Sequence, residues 1–382
     1  MEILLALGLI LISCLIIWKA SDGFEAASEY LGRNMSEGVR GATINAIGSS
    51  MPELFTTIFF LLYMSDTDGF SGGIGTTAGS AIFNGMIIPA VVIFVVLISG
   101  IAKSINVSKK VILRDGLFLI GAEIILIFLI SGTTLNWWHG LVLMLTYAVY
   151  MTYMLTSMKK MDNNDDGEDD GDDDDNSEVG VMKGLLTLNL EAVFIRNNKI
   201  ATNNSWTLLL VSMAVIGSAC LLLVFSCEMI GDSLGIHIMF ISVVLASAAT
   251  SVPDTIISMR DAKKGNYNDA IANALGSNIF DICFALGFPL FLYCIIYGPI
   301  NMDPETLEFT SQLRILLLFF TIIAFFIYYI GSKMGKAKAF LLIGIYLLFT
   351  LYIIGASIES EWAMQITNYL SQAYTFIKGG GN

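Results

Sequence analysis

The chain is short of charge, of histidine and of proline. Of 382 residues only 14% are Asp, Glu, Lys or Arg, two are His and six are Pro. A soluble domain carries nearer a quarter charged residues, so a water-solvated globule is excluded. The two histidines, His139 and His237, fall near predicted helix ends, and no catalytic constellation forms around them or elsewhere. An enzyme is therefore not expected. The five cysteines (Cys14, Cys220, Cys227, Cys283, Cys294) show neither disulfide nor metal-ligand spacing. They lie in apolar segments, where a free cysteine packs as a small hydrophobe.

What is abundant is apolar: 55% of the residues are hydrophobic and the mean hydropathy is +0.72. These residues fall in long runs, such as 87–102, 116–131, 205–227 and 315–332. Runs of about 20 apolar residues match the thickness of a bilayer's hydrocarbon core. Continuous runs exclude the alternating pattern of a membrane barrel, which leaves helices. The reading is an all-α polytopic membrane protein. It has ten transmembrane helices, near residues 3–27, 37–63, 72–101, 110–131, 136–156, 205–229, 235–259, 267–297, 311–331 and 338–357. The N-terminus lacks the basic region of a cleaved signal, so it is read as the first span.

The net charge of −13 is local. Residues 162–178 hold nine Asp and two Glu, and the rest of the chain is near neutral. This stretch partly fits a calcium loop, with Asp162, Asn164, Asp166, Gly167 and Asp173 at suitable spacing. Asp169 stands where an apolar residue belongs, and the last position is not Glu, which favours a solvated linker. The stretch 184–195 reads either as an amphipathic helix lying on the membrane or as plain linker. Seventeen of the 20 Lys and Arg lie in the odd-to-even connections. The positive-inside rule then sets both termini outside and the acidic loop in the cytoplasm. The expected organisation is a first five-helix repeat over 1–156, a cytoplasmic linker over 157–204, a second repeat over 205–357 and a short external tail over 358–382. Five is odd, so the second repeat runs inverted with respect to the first.

The two halves share motifs. GATINAIGSSMPELFTT (41–57) precedes GTTAGSAIFNG (75–85), and SVVLASAATSVPDTIIS (242–258) precedes ANALGSNIFDI (272–282). Aligning Pro52 with Pro253 sets Glu53 against Asp254, Ser50 against Ser251 and Ser49 against Thr250. Gly79-Ser80 matches Gly276-Ser277, and Asn84 matches Asp281. A carboxylate inside a membrane helix is expensive and marks an ion path. Each proline lacks the N–H that its helix needs and crowds the carbonyl of Gly48 or Ala249, predicting a kink or an unwound turn. Small residues at Gly79, Ser80, Gly276 and Ser277 let helices approach closely. Carboxylates, hydroxyls and carbonyls make an all-oxygen site suited to hard cations such as Ca²⁺. The absence of His and Cys argues against zinc or copper. The bland alternatives are structural carboxylates paired with a base, and hydroxyls bonded back to their own helices. No Lys or Arg lies in the motifs. Glu123, in the fourth span, belongs to no motif and is not assigned to a site.

These segments resemble the α-repeats of the cation/calcium exchanger superfamily, in its sodium/calcium exchanger branch. The resemblance covers roughly 1–156 and 205–357 and is most specific at 41–85 and 242–287. It implies that Glu53 and Asp254 coordinate Ca²⁺ and share Na⁺ sites, with hydroxyls and carbonyls of Ala46, Ser49, Ser50, Ser247, Thr250 and Ser251 around the ions. It implies that Ser80 and Ser277 complete flanking Na⁺ sites, with Asn84 and Asp281 at the centre. The chain departs from the family at Ala249, where Gly is usual, at Gly85, where a larger apolar residue is common, and at Met51. The pair SAIFN and SNIFD, with PELFTT, is most similar to the potassium-dependent exchangers. The acid matching Asp281 is associated there with K⁺, but some potassium-independent microbial exchangers share it, so K⁺ dependence stays open.

The expected function is Na⁺/Ca²⁺ antiport by alternating access, with no cofactor and no nucleic-acid partner. The protein would lie in lipid in a plasma or bacterial inner membrane, with a monomer sufficient for transport. A Ca²⁺/H⁺ antiporter would use the same carboxylates. A cation channel or a transport-inactive sensor is the alternative of another class; a channel builds its pore ring by oligomerising, whereas this chain holds a complete pair of repeats.

Overall fold

A computed structural model describes residues 2–31, 35, 39–158, 187–195, 201–331 and 333–377. The acidic stretch 162–178 lies outside the described residues. The fold is almost wholly helical. The first half contains α1 (Glu2–Leu31), α2 (Ala46–Ser49), α3 (Met51–Tyr63), α4 (Asp66–Ile98), α5 (Lys109–Leu129) and α6 (Trp137–Met158). A short helix, α7 (Leu190–Phe194), follows. The second half contains α8 (Thr202–Leu234), α9 (Ile238–Ile241), α10 (Ser247–Thr250), α11 (Val252–Lys263), α12 (Tyr267–Phe280), α13 (Gly287–Tyr297), α14 (Pro304–Tyr329), α15 (Lys336–Ser357) and α16 (Glu361–Ile377).

Among the described residues seven helical stretches are long and apolar enough to cross a membrane, and the bent pair around Ser50 makes an eighth. The helices α5 and α6 stand where the fourth and fifth spans are expected and fall outside that set. Lys109, Lys110, Arg114, Asp115 and Glu123 dilute α5, and α6 opens on Trp137, Trp138 and His139. Both still turn apolar side chains outward, among them Leu117, Ile124 and Phe128 on α5 and Leu145 and Val149 on α6.

Burial sorts the helices into an inner and an outer set. The stretches Ile238–Lys263 and Tyr267–Tyr297 are each 67% buried over their most apolar part, whereas α1 is 28% buried. The motif helices thus form the centre, and α1 lies alongside α8 at the periphery. Arg260 on α11 reaches out to α1, binding Asp22 at 2.6 Å and Glu25 as well. Arg260 thereby ties an inner helix to an outer one. A fully buried Arg314 on α14 donates to the carbonyls of Ile127 and Ile130, so it caps the C-terminus of α5.

Connections at one end are joined by a two-residue ribbon, β1 (Thr134–Leu135) with β2 (Ile300–Asn301), antiparallel, with Thr134 opposite Asn301. Loops at another point meet through Ile105 and Met334. Within 184–195 the structure places α7, whose Asn189 side chain caps it by accepting from Ala192 N at 3.0 Å. Leu190 and Ile195 are buried, and α7 packs on α8 and α1. The stretch expected to be a tail contains α16, held by a Tyr352–Thr367 hydrogen bond at 3.0 Å and by Gln312 donating to Ser371 at 3.0 Å.

The halves interlock through glycines. A Cβ on Gly79 would sit 2.4 Å from the carbonyl oxygen of Val243, and one on Gly276 would sit 2.7 Å from Cα and O of Ala42. Each glycine therefore seats its helix on the motif of the other half. Overpacking such a contact costs about 1–3 kcal/mol. Gly79→Ala and Gly276→Ala should each lower the melting temperature of the purified protein, while Gly121→Ala, which meets nothing within 4 Å, should not. Equal melting of all three variants would contradict this packing.

Candidate cation-binding site

The two motifs have the same backbone. In the first, a π-helical turn over Gly41–Asn45 leads into α2, the chain breaks at Ser50 (φ −90°, ψ 8°), and α3 begins with Pro52 in its first turn. In the second, a π turn over Ser242–Ala246 leads into α10, the chain breaks at Ser251 (φ −78°, ψ 1°), and α11 begins with Pro253. The turns coincide when the prolines are aligned. Proline is pre-shaped for a first helical turn and has no N–H to give the preceding helix. The expected break is therefore present in both halves; the first bends by 43°, whereas the second continues as one stretch over Ile238–Lys263. Both breaks place an acid, Glu53 or Asp254, in the first turn of a new helix, where the helix dipole favours negative charge.

The partner helices complete the cluster. Ser80 on α4 lies 3.0 Å from Glu53 Oε1, 2.8 Å from Ser251 Oγ and 3.2 Å from Asp281 Oδ2. Its counterpart Ser277 on α12 donates to Asp254 Oδ1 at 2.6 Å. Each motif acid thus takes the serine of its own half. Asn84 crosses between halves, donating to Asp254 Oδ2 at 2.9 Å. Glu53, Asp254 and Asp281 are fully buried, and among the described residues none forms an ion pair. The structural-pair alternative is not what the geometry contains. Among the described residues no three acidic, His or Cys side chains converge on one point; the carboxylates are linked through hydroxyl and amide groups instead.

Four oxygen atoms of the cluster, Ser50 Oγ, Glu53 Oε2, Asn84 Oδ1 and Asp281 Oδ1, are buried without a hydrogen-bond partner. Buried polar atoms are ordinarily satisfied, so these are oxygens left for a ligand that accepts lone pairs. The other hydroxyls divide. Ser49 bonds back to Asn45 O at 2.8 Å, Ser247 to Val243 O at 2.5 Å and Thr250 to Ser247 O at 3.2 Å. Ser49 also lies 3.5 Å from Ser277 Oγ. The Ala46 carbonyl accepts from Ser50 N at 3.1 Å.

The halves differ at the centre. The first partner helix, α4, is continuous through Asn84, whereas the second passes from α12 into a π turn over Asp281–Ala285 before α13. Such turns occur disproportionately at functional sites. Sequence reasoning missed Asn273, which lies 3.4 Å from Ser49 Oγ and donates to Asp254 O at 3.3 Å and Ser258 Oγ at 3.0 Å. Its place inside the second motif was the available signal. It also missed Asp269, which caps Gly41 N at 3.2 Å and pairs with Arg40 at 3.1 Å across the two halves.

Helices crossing a membrane around a buried all-oxygen cluster, supplied by two related halves, define a polytopic transporter-type membrane protein. The chain belongs to the sodium/calcium exchanger protein family, whose model matches residues 5–156 and 204–355. Among curated relatives, sodium/potassium/calcium exchanger 2 of Gallus gallus is 32% identical over 130 residues, 34% of this chain and 20% of that protein. The chain thus matches about a fifth of the length of that relative. An uncharacterized membrane protein of Methanocaldococcus jannaschii is 27% identical over 349 residues, covering 91% of this chain and 97% of that one. Among solved structures, the sodium/calcium exchanger from Methanococcus jannaschii matches with a TM-score of 0.56 at 22% identity, over 91% of this chain and 97% of that chain. The H⁺/Ca²⁺ exchanger CAX matches with a TM-score of 0.61 at 15% identity, over 96% and 92%. These likenesses show the fold.

Proposed function

We propose that the protein exchanges Na⁺ for Ca²⁺ across its membrane by alternating access. The observation that carries this reading is the buried cluster of Glu53, Asp254 and Asp281 with no basic partner and with unpartnered oxygens among them. Buried carboxylates demand a cation. A divalent ion set between Glu53 and Asp254, or several monovalent ions spread over the same oxygens, satisfies that demand. Both at once crowd too much positive charge into a low-dielectric space, and that mutual exclusion is the exchange. Ser50, Ser251, Ser80, Ser277 and Asn84 serve as neutral ligands in this reading. Ser49, Ser247 and Thr250 donate to carbonyls of their own helices and keep oxygen lone pairs for an ion, as does the Ala46 carbonyl. The match to sodium/potassium/calcium exchangers supports Na⁺ as coupling ion and makes K⁺ a candidate co-ion at Asp281.

In the same reading α5 and α6 complete ten spans, which sets the second half inverted with respect to the first. The Lys and Arg distribution then turns both termini outward and the acidic linker to the cytoplasm. The outer pair α1 and α8 slides along the inner helices to open either side, and the Arg260 tie to Asp22 and Glu25 must break and reform as it does. Ca²⁺/H⁺ exchange is the second reading, favoured by the fold's likeness to the H⁺/Ca²⁺ exchanger.

The test is Ca²⁺ uptake into proteoliposomes under an imposed Na⁺ gradient, with pH and K⁺ varied separately. Uptake should follow the Na⁺ gradient; uptake that follows only the pH gradient would transfer the reading to Ca²⁺/H⁺ exchange. With three Na⁺ per Ca²⁺, as the family resemblance implies, one net charge moves. A 100 mV potential is then worth about 2.3 kcal/mol, or roughly 50-fold in the Ca²⁺ ratio. Voltage-indifferent uptake would contradict that stoichiometry. Glu53→Gln and Asp254→Asn should each cut uptake more than tenfold with the protein still folded. Normal transport by either variant would remove that residue from the site.

A further inference from the structure

Six lysines gather where two connections meet. Backbone hydrogen bonds between Ile105 and Met334, 3.0 Å in each direction, join the loop before α5 to the loop before α15. The first loop and the first turn of α5 carry Lys103, Lys109 and Lys110. The second loop and the first turn of α15 carry Lys333, Lys336 and Lys338. Lys109 Nζ lies 5.0 Å from the centre of the Tyr329 ring at the end of α14, and Lys338 Nζ donates to Ile330 O at 2.6 Å. Lys109 and Lys338 are close enough to repel each other.

No acid balances this patch. Residues 99–114 and 329–340 contain neither Asp nor Glu. Among the described residues none of the six lysines forms an ion pair. Acids on the packed elements are engaged elsewhere. Asp115 holds Arg114 and accepts from Tyr150. Asn268 of α12 accepts from Ser108 N at 2.8 Å, but its neighbour Asp269 is taken by Arg40 and Gly41 N. The contrast with the arginines is sharp: Arg40, Arg114 and Arg260 each pair with an acid.

The patch also has an apolar border. Lys103, Lys109, Lys110, Lys333 and Lys336 are exposed. So are Ile98 and Ile101 on the chain leading into the first loop, and Ile330 and Phe340 on either side of the second. Phe340 packs on Phe94 of α4 at 5.1 Å between ring centres. Lysines beside outward-facing apolar side chains mark the level where hydrocarbon gives way to headgroups. A cluster of about four to eight basic residues at that level attracts anionic lipid.

We propose that the two bridged loops form a binding surface for the headgroups of anionic phospholipids. Each ammonium offers three N–H donors to phosphate oxygens, and the bordering apolar side chains meet the acyl chains. A lipid thus matches both parts of the surface. An acidic peptide, including the chain's own 162–178 segment, matches only the charge. The surface is independent of the transport reading, because it is read by binding.

Native mass spectrometry of the purified full-length protein tests this, by counting lipid molecules retained during titration with phosphatidylglycerol or phosphatidylcholine. Phosphatidylglycerol should bind at least about tenfold more tightly. Lys103→Gln, Lys109→Gln, Lys110→Gln, Lys333→Gln and Lys336→Gln together should erase that preference, and the same five positions changed to Arg should retain it. Lys263→Gln with Lys264→Gln, which removes two exposed lysines from another connection, should also retain it. A preference that survives the five Gln substitutions overturns the proposal, as does one lost equally in the Lys263/Lys264 variant. Deleting 162–178 separates the two sources of negative charge. A preference for phosphatidylglycerol that emerges only after the deletion would give the patch to the acidic segment and overturn the lipid assignment.

Discussion

Three carboxylates buried without a base set the terms for the rest of this structure. Glu53, Asp254 and Asp281 lie close enough to repel one another, in an interior where water cannot screen them. Most of the surrounding architecture answers that repulsion. Each motif helix is broken ahead of a proline, so that Glu53 and Asp254 sit at the positive end of a fresh helix. Ser80 and Ser277 supply hydroxyl donors, and Asn84 bridges the halves. What these groups leave without a hydrogen-bond partner is a set of four buried oxygen atoms, which in the proposed reading the transported cations complete.

The interlock of the halves follows from the same need. Ligands from two halves can share a centre only if four helices pass within touching distance. Gly79 against Val243 and Gly276 against Ala42 provide that approach, each seating a partner helix on the π turn of the opposite motif. The symmetry stops at Asn84 and Asp281. The extra acid coincides with the extra π turn over Asp281–Ala285, so charge and backbone irregularity are concentrated in the second half.

The motif alignment on Pro52 and Pro253 carried most of the site, because a repeated pattern of proline, acid and small residues fixes both chemistry and register. It predicts the helix breaks and the close approach at Gly79 and Gly276; the Ser80–Glu53 and Ser277–Asp254 hydrogen bonds come from the structure. Other features were less legible for definite reasons. The helix α16 shows little in composition, because its order comes from contacts with α14 and α15. Which hydroxyls bond back to their helices depends on rotamers: Ser49, Ser247 and Thr250 do so, while Ser49 and Thr250 also lie beside Asp254 and Glu53.

The central claim is that Na⁺ and Ca²⁺ compete for one set of oxygens on Glu53, Asp254 and their neighbours. Equilibrium Ca²⁺ binding to the purified protein at rising Na⁺ tests it most directly. The apparent Kd should climb more steeply than in proportion to Na⁺ concentration, because more than one Na⁺ replaces each Ca²⁺. A Kd that does not change with Na⁺ would contradict a shared site.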